Sequence, residues 1–290
     1  MKSPERRTPR INGLSFNKLI PNILTMLALC AGLTSIRFGL HGKWDMAVVG
    51  ILLAGLLDGL DGRIARLLHG TSKFGAELDS LSDFISFGVA PSIVLYLWTM
   101  QGAGGLGWAL VLLFSVCMAL RLARFNTMLG EPDLPPWAYN FFTGVPAPAA
   151  AGLVLLPMII SLRSGEDSFF ASASVNAIVL VTVSFLMVSR IPTYSGKRFR
   201  VPHEYVVPML LLIGVLTAFL VTDPWGTITV VGILYAGSIP LSARAFRKLQ
   251  KQTAELRAAE ALAKENAQRE MAARQDASQD ALRQPPEPQV

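Results

Sequence analysis

The chain has 290 residues, of which 52% are apolar and only 16% charged, with a net charge of +6. A soluble domain of this length carries about a quarter charged residues, and segments such as VLLFSVCMAL and VVPMLLLIGVL have no polar face, so one large soluble core is excluded. Cys30 and Cys117 both lie in apolar stretches without metal-ligand spacing, which argues against a disulfide framework and reads as membrane packing.

In chain order, residues 1–18 are polar and basic, with Lys2, Arg6, Arg7, Arg10 and Lys18, and are expected to carry no cleavable secretion signal. Charge-free gaps then recur, each long enough for one or two helical crossings of about 20 residues. They predict an all-α fold, a polytopic transmembrane helical bundle of about 8 spans at 19–38, 46–67, 77–99, 106–125, 141–162, 172–189, 206–222 and 226–243. Pro146, Pro148 and Pro157 are expected to bend the fifth. Lys and Arg orient the spans. They gather in the N-terminal segment, around Arg63, Arg66 and Lys73, after Arg121 and Arg124, at Arg190, Lys197, Arg198 and Arg200, and at Arg244, Arg247 and Lys248. The alternate connections are poorer, with Arg37 and Lys43 in the first as the exception. Both termini are therefore expected in the cytoplasm, on the inner side of the cell membrane. The membrane domain is expected to occupy 19–243. The Ala- and Gln-rich tail at 244–290 reads as a solvated, partly helical or disordered extension.

The stretch LLDGLDGRIARLLHGTSKFGAELDSLSD, residues 56–83, places four carboxylates at the cytoplasmic ends of the second and third spans. Asp58 and Asp61 are three apart, and Asp79 and Asp83 four apart, so each pair shares one helix face. A short hairpin brings the two helices side by side. Unpartnered carboxylates next to hydrocarbon cost about 2.5–3.5 kcal/mol each on insertion scales, and four together repel. A divalent cation, Mg²⁺ or Mn²⁺ for an all-oxygen donor set, resolves both problems. Gly62 and Gly75 lack a side chain where the helices face each other, which serves either close ligand approach or helix packing. Arg66 is suited to a fork-like phosphate contact, and Thr71, Ser72 and Lys73 in the hairpin offer further ones. From the residues alone, a metal-bound, phosphate-bearing ligand sits at the cytoplasmic face beside lipid.

The eight residues Asp58, Asp61, Gly62, Ala65, Arg66, Gly75, Asp79 and Asp83, within 26 positions, resemble the signature of the CDP-alcohol phosphotransferases. The resemblance covers roughly residues 15–240. Flanking matches at PNILT (21–25), SFGVAPS (86–92), LRLARFN (120–126) and FFTGVPAPAAAG (141–152) look like the integral-membrane phosphatidylserine synthases of bacteria. This resemblance implies an enzyme in which L-serine attacks CDP-diacylglycerol, giving phosphatidylserine and CMP. It implies Asp58, Asp61 and Asp79 as metal ligands. Asp83 would be the general base and possible further ligand, and Gly62, Arg66 and Ser72 would contact the cytidine diphosphate group. It also implies a homodimer in contact with membrane lipids; no nucleic acid is expected as a partner.

Other polar residues leave two readings open. Arg121 and Arg124, with Asn126 beside them, either anchor the fourth helix at the cytoplasmic face or bind the serine carboxylate, Arg124 being the first choice. Asn22 and Thr25 either face the nucleotide or bond helix to helix. Lys197, Arg198 and Arg200 either set topology or attract anionic headgroups. His41, His69 and His203 fall at membrane edges without a ligand set. Choline, glycerol 3-phosphate and inositol phosphate are alternative acceptors. A cation-coupled transporter is the competing class, although such sites commonly lie mid-membrane between repeated halves, and no repeat is visible here.

Overall fold

The computed structural model describes residues 16–68, 72–128, 141–165, 168–194 and 202–283. The expectations resting on residues 1–15, His69, Thr71, Lys197, Arg198, Arg200 and 284–290 lie outside the described residues.

Helix α1 spans Phe16–Leu40 and α2 spans Trp44–Leu67. Gly42, at φ 68°, makes the tight reversal between them, a left-handed conformation that costs glycine little. The two helices meet through small residues. A Cβ on Gly50 would lie 2.9 Å from Ser35 Cβ, the kind of backbone approach by which helices associate without a hydrophobic drive.

Helix α3, Lys73–Asp83, begins at Ser72, whose Oγ accepts from Gly75 N at 3.0 Å. This N-cap satisfies one of the unpaired donors at the helix start. The helix continues through a π-helical turn at Phe84–Val89, then α4 at Ala90–Leu95 and a second π turn at Tyr96–Met100. The first π turn starts directly after Asp83, and such widened turns are frequent at functional sites. Helix α5, Gly104–Met128, folds back on this arm. Ser92 Oγ meets Ser115 Oγ at 3.2 Å, and the Tyr96 and Trp108 rings meet edge-on at 5.4 Å.

The expected span at 141–162 is corrected in two respects. Phe141–Thr143 is strand β1, paired antiparallel with β2 at Pro192–Tyr194 so that Phe142 faces Thr193. The helix starts only at Ala147 and breaks into α6, Ala147–Val154, and α7, Leu156–Ser164, at 41°. Pro157 lacks the N–H that would bond the Leu153 carbonyl, which accounts for the break. Helices α8 (Ala173–Val188), α9 (Val206–Thr222) and α10 (Pro224–Arg283) complete the order.

Helical segments stand at all eight expected positions, but the count of about eight spans is not established. Among the described residues, four helices are long and apolar enough to cross a bilayer, or five if α6 and α7 form one bent span. The expected spans 77–99 and 106–125 are two arms of one helical run, Lys73–Thr127. Helix α2 carries Asp58, Asp61, Arg63 and Arg66 in its second half. Helix α8 has 16 residues, about 24 Å, short of a hydrocarbon core of about 30 Å.

The chain divides into two compact units, Met1–Ile239 and Pro240–Val290. In the first, Phe87, Leu95, Phe114, Met118, Leu155, Met158, Leu180 and Met187 are fully buried. Helix α9 buries none of its residues, as suits a helix surrounded by lipid. Both cysteines are free, Cys30 exposed and Cys117 buried.

Candidate active site

The second half of α2 and the length of α3 bring the acidic side chains together. Carboxylate oxygens of Asp58, Asp61 and Asp79 lie within 4.8 Å of one another. The Asp58 side chain also lies close to those of Asp79 and Asp83. Helix α1 forms the third wall. Thr25 Oγ1 donates to Asp61 Oδ2 at 2.6 Å, and Asp61 is only 4% exposed. Ser82 Oγ donates to the Thr25 carbonyl at 3.2 Å, which ties α3 to the same turn of α1. Asp83 adjoins this group through both Asp58 and Asp79.

Two like charges this close repel by about 3–4 kcal/mol at an effective dielectric constant of 20. Crowding of this kind needs protons or a cation between the oxygens. The donor set is oxygen throughout and comes from two rigid helices, so the residues fit a hard divalent ion. The acidic triad Asp58, Asp61 and Asp79 could hold one.

Beside the triad lies a cavity of about 360 Å³, lined by Pro21, Asn22, Thr25, Asp61, Gly62, Ala65, Arg66, Ser72, Gly75, Ala76 and Asp79. All six residues expected to contact the nucleotide lipid, Asn22, Thr25, Gly62, Arg66, Ser72 and Gly75, are among them. The two glycines differ. A Cβ on Gly62 would meet nothing within 4 Å, so helix packing does not demand glycine there. A Cβ on Gly75 would come within 2.9 Å of Asn22 Oδ1 and 3.1 Å of Ser72 Oγ, which belong to the cavity wall. Arg66 is exposed at the cavity mouth, with no ion pair among the described residues.

The basic residues of α5 part company. Arg121 lies close enough to Asp83 and Asp58 to interact electrostatically with both. Arg124, one turn further on, donates instead to the Val188 carbonyl at 2.8 Å, and Asn126 donates to Ser80 Oγ at 2.9 Å. Sequence reasoning missed two residues near Arg121. Tyr235, on α10, interacts electrostatically with Arg121, and its hydroxyl lies beside the side chain of Thr193 on β2. Only a phenol within the apolar run VVGILYAGSIP offered a signal for the first; nothing local marked the second. His41 has Nδ1 at 2.7 Å from the Arg37 carbonyl, and His203 is exposed, so neither joins the acidic group.

Comparison with known proteins agrees with this arrangement. The model of the CDP-alcohol phosphatidyltransferase family matches residues 18–236. The chain is 40% identical over 225 residues to a CDP-diacylglycerol–serine O-phosphatidyltransferase of Mycobacterium leprae, covering 78% of this chain and 74% of that protein. It is 38% identical over 187 residues to the Helicobacter pylori protein of the same name, covering 63% and 74%. It is 36% identical over 180 residues to an archaetidylserine synthase of Methanothermobacter thermautotrophicus, covering 59% and 68%. With its acidic cluster between apolar helices and a family match over most of its length, the chain is an integral membrane protein that belongs to the CDP-alcohol phosphatidyltransferase family.

Proposed function

We propose that this protein transfers the phosphatidyl group of CDP-diacylglycerol to the hydroxyl of L-serine, forming phosphatidylserine and releasing CMP. The observation that carries the reading is the convergence of Asp58, Asp61, Asp79 and Asp83 beside a cavity lined by Asn22, Thr25, Gly62, Arg66, Ser72 and Gly75. Relatives named for serine transfer, in bacteria and archaea, support the choice of acceptor.

In this reading the donor's diphosphate lies in the cavity. Gly62 lets it approach the α2 backbone, Arg66 reaches its phosphate oxygens with a planar fork, and Ser72, Asn22 and Thr25 supply polar contacts. Asp58, Asp61 and Asp79, with Asp83 as a further candidate ligand, would hold a divalent ion, Mg²⁺ or Mn²⁺. When bound, such an ion screens the charge on the diphosphate and on the departing CMP. Asp83 takes the proton of the serine hydroxyl as its oxygen bonds to phosphorus and the bond to CMP breaks.

Further parts of the reading concern placement. The cationic connections put both termini and the site on the cytoplasmic side of the inner membrane, where water-soluble serine arrives while the acyl chains stay in lipid. Residues 1–18 act as a basic cytoplasmic segment, 19–243 as the catalytic domain and 244–290 as a cytoplasmic tail. The working unit is a homodimer. The purified protein in detergent, given CDP-diacylglycerol, divalent ion and each alcohol in turn, should release CMP with serine. Release only with choline, glycerol 3-phosphate or inositol phosphate would reassign the acceptor, and no release with any alcohol would overturn the reading.

A further inference from the structure

The charge on α10 changes character along its length. From Pro224 to Ala243 the helix carries no charged residue. Residues 225–243 rise about 28 Å, close to a hydrocarbon core of about 30 Å. Arg244, Arg247, Lys248 and Lys251 follow directly, and the helix holds no Asp or Glu before Glu255. Further on the signs mix, with six acidic and five basic residues from 255 to 283. A solvated helix commonly carries such a mixture. A run of one sign directly after an apolar span asks for another cause.

The four cations also share one face. At about 100° per residue they fall within an arc of about 100°. All four are exposed, and none makes an ion pair among the described residues. The opposite side of the same turns holds Ser242, which is buried, and Phe246, Leu249 and Thr253, which are half-buried. Topology depends on how many cations flank a span; it does not require them on one face. Four like charges held on one face repel, and an anionic surface relieves that repulsion. Their depth says which surface. From Arg244 to Lys251 the helix rises about 10 Å, the headgroup layer beyond the core is about 5–8 Å deep, and the long Arg and Lys arms span the difference. We infer that the face formed by Arg244, Arg247, Lys248 and Lys251 docks on the headgroups of anionic lipids. The occupant is the membrane surface and not a soluble acidic partner, because the face begins at the residue after the apolar run, while the charge of the outer helix is nearly balanced. The chemistry recognised is the negative charge of the lipid, so phosphatidylglycerol and phosphatidylserine serve alike. None of the four residues lines the cavity beside the acidic cluster, and the inference stands whether or not the transfer reading holds.

The test uses the full-length protein in vesicles of phosphatidylcholine, with or without about 30% phosphatidylglycerol, cut by chymotrypsin. Phe246 and Leu249 lie among the basic residues, and Leu262, Met271 and Leu282 on the same helix are the reference sites. Cleavage at Phe246 and Leu249, relative to the reference sites, should fall at least about fivefold when phosphatidylglycerol is present, the worth of one basic residue at an anionic surface. Phosphatidylserine in its place should protect equally. Salt at about 1 M, which shortens the screening length to about 3 Å, should abolish the protection. The variant Arg244→Gln/Arg247→Gln/Lys248→Gln/Lys251→Gln should be cut alike in both kinds of vesicle. A purely topogenic cluster would leave wild-type cleavage equal in the two lipids, and that outcome overturns the inference. So does protection that persists in the fourfold variant, which would assign it to other parts of the chain. Protection by heparin added to phosphatidylcholine vesicles, with none from phosphatidylglycerol, would make a soluble polyanion the occupant and overturns it as well. Should the variant fail to fold, the lipid and salt comparisons on wild-type protein decide alone.

Discussion

Hydroxyl groups are handled differently in two regions of the membrane domain. In α8 and α9 they turn back on their own helix. Thr182 donates to the Ile178 carbonyl at 2.7 Å, Ser184 to Leu180 at 2.7 Å and Thr217 to Ile213 at 2.8 Å. Such bonds satisfy the donor within one turn and ask nothing of a neighbour. In the corner formed by α1, α2 and α3 some also turn back, as Ser35 does to the Gly32 carbonyl at 2.7 Å, but others cross between elements. Thr25 reaches Asp61, Ser82 reaches the Thr25 carbonyl, and Ser86 reaches the Ala28 carbonyl at 3.3 Å. Bonds between elements fix one helix against another. The corner that holds the carboxylates is thus cross-tied by polar contacts, whereas α8 and α9 hold their hydroxyls locally and rely on apolar contact or lipid.

The sharpest way to break this contrast is at Asp83. Asp83→Asn keeps the shape but cannot accept the acceptor's proton, and should lower CMP release by about 10²–10⁴-fold with the thermal midpoint preserved. Turnover within a few-fold of wild type would remove Asp83 from the chemistry and leave the corner merely structural. Gly62→Val tests the open side of the same corner. Its added side chain meets no protein atom, so stability should hold or rise slightly as a helical glycine is replaced. Filling the place where the diphosphate nears the backbone should still cost about tenfold or more in turnover of CDP-diacylglycerol, since displacement of a substrate by about 1 Å is enough for that. A drop in thermal midpoint with unchanged kinetics would show that Gly62 serves packing after all.

What the sequence disclosed follows the same division. The aspartates were legible because charge beside long apolar runs has few physical explanations, and because spacings of three and four place pairs on one helix face. The residues lining the cavity were legible from hairpin proximity and resemblance together. The break at Leu155 was legible only as a bend, since prolines mark where a hydrogen bond is lost and not how far the chain turns. The short pairing of Phe142 with Thr193 had no visible signal, because three-residue strands hold no period to read. Nor could spacing separate Arg121 from Arg124. They lie three apart on one face of the helix, and only the position of the Val188 carbonyl at the end of α8 removes Arg124 from the acidic group. Tyr235 lies more than a hundred residues from either pair of aspartates. A contact of that span belongs to tertiary structure alone.

The smallest effects decide whether the two regions differ in kind. Thr25→Val keeps the side-chain volume but removes the donor that reaches Asp61 at 2.6 Å. The buried carboxylate loses its one hydroxyl partner, a cost of about 1.5–3 kcal/mol for a bond to a charged group. Because Asp61 both belongs to the acidic triad and lines the cavity, that cost should appear as a loss of about tenfold or more in CMP release. It should be accompanied by a higher divalent-ion concentration for half-maximal activity. Ser184→Ala makes the matching cut in α8. Ser184 is as buried as Thr25, at 1% against 4% exposed, but its hydroxyl serves only the Leu180 carbonyl on its own helix. Removing it leaves no charged group unpaired, so activity should stay within about twofold and stability within about 1 kcal/mol. Equal losses from the two substitutions would mean that burial alone sets the cost, and that cross-helix bonding gives the aspartate corner no special geometry.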